Sequence, residues 1–140
     1  MEHETVIKTP IFVDVEFVNY QDEFKTRAVT LTEDKVRRET VKCSVECGAM
    51  LVCIPDEAIA ALGLNPVRES KSRGPGGEVK VRRIYGPVRI HVMGRENHVL
   101  VTACDSGAQP VLGQIALLGL DLAADWQSNR LVPVHAEITD

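Results

Sequence analysis

Aromatic residues are scarce in this chain of 140 residues: three Phe, two Tyr and one Trp. Val, Leu, Ile and Ala must therefore fill any core. Long apolar runs are missing as well. No stretch approaches the roughly 20 residues of a membrane-spanning helix, so no membrane partner is expected. The opening MEHETVIKTP has neither a cationic start nor an apolar centre, so it does not read as an export signal. Basic charge is in deficit: 16 Lys and Arg stand against 20 Asp and Glu, a net charge of −4, which argues against nucleic acid as a general partner. The four cysteines, Cys43, Cys47, Cys53 and Cys104, lack the spacing of a zinc site. With no export signal they are expected to be reduced thiols in a cytoplasmic protein, three of them serving as small buried apolar residues. Nothing implies a cofactor.

What is present suits one ordinary globular domain, 44% hydrophobic and 26% charged. It is expected to span residues 1–140 with loose ends at 1–8 and 136–140. Ile11 to Asn19 alternates, with Ile11, Val13, Val15 and Phe17 on one face, and reads as a strand. Asn19 to Asp22 reads as a turn, Phe24 to Leu31 as a returning strand, and Val36 to Val45 as a third. Pro55-Asp56-Glu57 has the proline and acids of a helix start, Ala58, Ile59, Ala61 and Leu62 form its stripe, and Gly63 is placed to cap its end. Arg68 to Arg83 is basic with Gly74-Pro75-Gly76-Gly77 in the middle, the pattern of a projecting hairpin. Pro87 to Met93 and His98 to Ala103 alternate as two more strands. Gln114 to Ala123 reads as a second short helix, and Asn129 to Val134 as a closing strand. No repeat or linker divides the chain, so an all-β domain with one or two short helices is expected.

The chemistry centres on Val41 to Pro55, VKCSVECGAMLVCIP. Val41, Cys43 and Val45 share one strand face, the chain turns through Glu46-Cys47-Gly48-Ala49, and a second apolar run follows. A carboxylate on a tight glycine turn between buried strands needs a partner or a purpose, unless it simply points to water. Asp105-Ser106-Gly107-Ala108 is a second acid turn. It is followed by Gln109-Pro110 rather than an apolar strand, so it reads as an ordinary Asp-Ser-Gly turn.

The order of these parts resembles the retropepsin-like aspartic proteases, especially the small bacterial members. The likeness covers about Val36 to Val134. VECGAMLVCIPDEAIAALGL looks like the active-site loop, strand and helix of that family. The glycine tip about thirty residues beyond Glu46 looks like its flap, and PVLGQIALLGLDLAADWQSNRLVPVH like its C-terminal segment.

The resemblance implies an acid-protease-like closed β-barrel lobe, working as a homodimer on a peptide or protein substrate. Two carboxylates, one per subunit, would share a proton, one acting as base on a water and the other polarising the scissile carbonyl. It assigns the active-site loop to Glu46, Cys47, Gly48 and Ala49, and substrate contacts to Gly74, Pro75, Gly76, Gly77, Leu112 and Gly113. The sequence departs from the family where the chemistry lies: Glu46 replaces Asp, and Cys47 replaces Thr or Ser. The added methylene displaces the carboxylate by roughly 1.5 Å, and a thiol is a poor substitute for a hydroxyl that locks the two loops together. A peptide-binding or assembly role without turnover is the alternative. A third reading gives Cys47 a redox or metal-binding role.

Overall fold

A computed structural model describes residues 9–135. Strand β1 (Phe12–Asn19) leads into helix α1 (Tyr20–Arg27), a single 3-10 turn (Glu33–Lys35), and strands β2 (Arg38–Glu46) and β3 (Val52–Ile54). Helix α2 (Asp56–Leu62), the hairpin β4 (Pro66–Arg73) and β5 (Val79–Val92), and strand β6 (Arg95–Ala103) follow. Strand β7 (Val111–Gly113), helix α3 (Gln114–Leu120), and the hairpin β8 (Leu122–Asp125) and β9 (Arg130–Pro133) complete the described chain.

Six strands close a ring in the order β1-β2-β7-β3-β6-β5, and β5 returns to β1. The closing pairs are Glu16–Asn19 against Val88–His91. Pairings β2–β7 and β3–β6 are parallel, the rest antiparallel. Closure leaves the ring itself without an exposed edge. Strand β5 is long enough to serve two neighbours: its second half pairs with β1, while its first half carries β4 out of the ring as the arm of the projecting hairpin. Strands β8 and β9 form a separate two-stranded sheet. The fold is therefore the mainly β closed barrel that the sequence leads one to expect. Three short α-helices are present where one or two were expected.

The scarcity of rings shows in the core. Of the six aromatic residues only Phe17 is fully buried; Val15, Ile54, Leu62, Ile90, Val101 and Leu112 supply most of the rest. Alternation predicts the faces of β5 and β6 correctly, with Val88, Ile90, Val92, Val99 and Val101 inward, whereas in β1 Val15 and Phe17 are inward but Val18 of the opposite face is fully buried too.

Three expectations need correction. Residues 24–31 do not form a strand, because α1 occupies Tyr20–Arg27. Its start is set by Asn19, whose side-chain oxygen accepts the Asp22 N–H at 2.9 Å, with acids in the first turn and bases in the last. The second helix stops at Leu120, because Asp121 turns left-handed (φ 56°) and Leu122 begins β8. In α2, Ala61 faces solvent, and only Ala58, Ile59 and Leu62 are buried.

Gly63 does end α2, at φ 63°, a conformation that costs glycine little. The Arg37 guanidinium lies against the space where a side chain would stand there. Arg37 donates from its backbone N, Nε and Nη2 to Asp22 at 3.0, 2.8 and 2.9 Å, and Asn19 Nδ2 donates to the Leu62 carbonyl at 2.7 Å. The start of α1, the end of α2 and the approach to β2 are thus bound by one satisfied polar cluster.

Candidate functional site

Glu46 is the last residue of β2, opposite Gly113 at the end of the parallel strand β7. The chain reverses at once: the Ala49 N–H donates to the Glu46 carbonyl at 3.1 Å. The turn is fixed from the other side by α3. That helix has no side-chain cap, and its first N–H groups need acceptors. Gln114 N donates to the Ala49 carbonyl at 2.7 Å, and Ile115 N to the Met50 carbonyl at 3.4 Å. The fit is close enough that a Cβ on Gly113 would stand 2.5 Å from the Leu51 carbonyl oxygen and 2.8 Å from that of Ala49. Glycine at 113 is therefore a requirement of packing. Leu112 beside it is wholly buried in the core, so it anchors β7 and presents no surface to a ligand.

On this rigid backbone the side chains of Glu46 and Cys47 are exposed. Among the described residues nothing hydrogen-bonds the Glu46 carboxylate. Glu46, Cys47 and Gly48 line a cleft of about 300 Å³ together with Pro10, Val45 and Trp126. Trp126 comes from the turn between β8 and β9 and also packs against the core. No local motif marked Pro10 or Trp126, which reach the cleft from the two ends of the described chain. The one tryptophan of the sequence, set in a polar turn, was the available signal.

Of the three thiols expected to be buried only Cys43 is; Cys53 and Cys104 are half-buried. Burial raises the thiols of Cys43, to about 12, and Cys104, to about 11, and raises Cys53 as well. Cys47 is the exposed one. All four are unpaired. Among the described residues no group of three or more His, Cys, Asp or Glu is placed to hold a metal ion.

Gly74, Pro75, Gly76 and Gly77 form the tip of the β4–β5 hairpin. Gly77 N donates to the Gly74 carbonyl at 3.0 Å, and Gly77 has φ 83°. The hairpin is tied near its tip to Asp105, which receives Lys80 Nζ at 3.1 Å and lies 3.7 Å from Arg82. The Lys80 hydrogen bond, assisted by both positive charges, holds the Asp105 carboxyl below its usual range. Asp105 to Ala108 is a turn closed by Ala108 N on the Asp105 carbonyl at 2.9 Å. The clefts that Asp105 lines share no residue with the cleft at Glu46. The two acid turns are thus separate sites, and Asp105 is occupied with cations of the hairpin.

A further cleft of about 280 Å³ begins where the Glu46 turn ends, lined by Met50, Val52, Arg68, His98, Leu100 and Ile115. It joins four separate parts of the chain, so no sequence motif announces it.

No family model matches the chain, and no curated protein matches it. Among the described residues, no helix is long and apolar enough to cross a membrane.

Proposed function

We propose that the chain is one half of a retropepsin-like, aspartic-type peptidase that acts as a homodimer. The observation that supports this reading best is Glu46 itself. It is an exposed carboxylate with no partner among the described residues, held on a backbone that β7 and α3 fix from behind. Two copies meeting at this turn would bring two such carboxylates together. Like charges at close range cannot both ionise, so the pair would hold one proton. The charged member takes a proton from water as its oxygen attacks the peptide carbonyl, and the protonated member donates to the carbonyl oxygen. Collapse of the tetrahedral intermediate then returns a proton to the leaving amine. The β4–β5 hairpin is the element available to close over a bound peptide. The four free thiols favour a reducing, cytoplasmic setting.

The alternative keeps the dimer and the peptide but not the turnover. It is favoured by the side chains present: Glu46 reaches one methylene further than aspartate, and Cys47 offers a thiol where a hydroxyl would lock two loops. Misplacement on this scale costs about 100-fold in rate. The test is cleavage of a mixed peptide library between pH 3 and 8. Cleavage should be strongest at acid pH, should stop with a hydroxyl-containing peptide analogue, and should vanish in Glu46→Gln. Activity kept in that variant removes Glu46 from the chemistry. A parent without activity that gains it in Glu46→Asp/Cys47→Thr selects the binding role.

A further inference from the structure

The cleft beyond the Glu46 turn differs in kind from the one at Glu46. Its floor is aliphatic, from Val52, Leu100, Ile115 and Ala116, and its rim carries Arg68 and His98. About 280 Å³ lies just below the range for whole small-molecule ligands, roughly 300–1,000 Å³. It is therefore suited to one side chain rather than to a cofactor.

Register explains why the cation stands over the apolar floor. Arg68 lies opposite Ile84, and Ile84 opposite Thr102, so the three side chains leave one face of the sheet. Two and four residues before Thr102 on β6, Leu100 and His98 leave the same face. The His98 ring is held edge-on by Tyr20, with centroids 4.8 Å apart. Arg68 takes part in no ion pair among the described residues, whereas Arg37, Arg38, Lys80, Arg82 and Arg89 all do. The hairpin around it holds six cations, Arg68, Lys71, Arg73, Lys80, Arg82 and Arg83, against two acids, Glu69 and Glu78, in a chain of net charge −4.

The third observation is backbone. Strand β4, which carries Arg68, is the last strand of its sheet. Its outer edge offers hydrogen-bonding groups to an extended chain laid beside it. An aliphatic recess and a cation unpaired among the described residues meet at one place, and the open strand edge lies on the same sheet, two strands away from β6.

We propose that this cleft is a peptide-recognition pocket that takes one branched aliphatic side chain of an extended segment, with Arg68 pairing the carboxylate of the acidic residue next to it. The ligand class is an acidic, aliphatic peptide strand of Leu-Glu type. This deepens the peptide-handling reading given above and rests on it, but it concerns binding alone.

The experiment uses the whole chain carrying Glu46→Gln, so that turnover does not consume the probe. Fluorescence anisotropy is followed with labelled peptides Gly-Gly-Leu-X-Gly-Gly in which X is Glu, Gln or Lys, and with a control in which Gly replaces Leu beside Glu. The Leu-Glu peptide should bind about tenfold more tightly than Leu-Gln, and Leu-Lys more weakly still. Arg68→Gln should erase the difference between Glu and Gln while keeping the preference for Leu over Gly. Ile115→Glu, at an exposed position, should weaken every Leu peptide.

Equal binding of the four peptides, or unchanged discrimination in Arg68→Gln, overturns the proposal. So does octanoate displacing the peptide at equal concentration, because the pocket would then read a free aliphatic carboxylate. Selective binding without cleavage in the parent chain would remove the peptidase reading and leave this one standing. Cleavage without the Leu-Glu preference would do the reverse.

Discussion

Asp22 and Glu46 are both carboxylates beside the end of a β-strand, and the structure treats them in opposite ways. Asp22 is 3% exposed and accepts three hydrogen bonds from Arg37, while its own N–H is taken by Asn19. Glu46 is exposed, and among the described residues nothing donates to it. In the first region every polar group is answered from within, and the helices and β2 are joined as a result. In the second, only the backbone is answered; α3 and β7 grip the turn and leave the side chain to the solvent. The charge at 22 is committed to folding, whereas the charge at 46 is free for something outside the chain.

Substitutions should break this contrast in a definite order. The largest effect belongs to the grip under the turn. Gly113→Val puts a side chain into the Leu51 and Ala49 carbonyls, and the forced displacement should cost about 3 kcal/mol, read as a lower urea midpoint. A loss under 1 kcal/mol would mean that the turn yields easily.

Next comes Asp22→Ala. It leaves the Arg37 N–H and guanidinium without their acceptor and should cost about 2 kcal/mol. The same acid should show in the pH profile. Arg37 holds the Asp22 carboxyl below its ordinary value, so the charged form is favoured by folding. That contribution is present above the unfolded value near 3.9 and is lost as pH falls from there through the lower folded value. Urea melts between pH 5 and 2 should therefore decline less steeply for Asp22→Asn than for the parent; parallel declines would exclude Asp22 as a source of acid lability.

Smallest is Glu46→Gln, which should change stability by less than about 0.5 kcal/mol while abolishing any cleavage. A large loss of stability there would place Glu46 with Asp22 and end the contrast.

Much of this architecture could be read from residue order. Alternation found β1, β5 and β6 because a half-buried strand repeats every two residues, whereas β3 and β7, three residues each, are too short to alternate; Gly63 and the Gly74–Gly77 tip were found because left-handed and tight turns select glycine. Helix α1 escaped because YQDEFKTR has almost no apolar stripe; Phe24 is 61% exposed. Its signal lay in the Asn19 cap and the order of its charges. Strand β8 escaped because Leu122 and Ala123 continue the apolar texture of α3, and only the left-handed Asp121 separates them. At the site, the Glu46 turn was legible since its residues are consecutive. The walls were not: Trp126 and Pro10 at one cleft, and Arg68 and His98 at the other, arrive from distant strands and turns.

Closure of the ring through β1 and β5 has a consequence for birth on the ribosome. The segment that shuts the ring against residues 16–19 is residues 88–91, so β1 must wait for it on the order of ten seconds at ordinary elongation speed. Throughout that interval one flank of the nascent first strand is uncovered, and crowding by neighbouring nascent chains is the hazard this topology accepts.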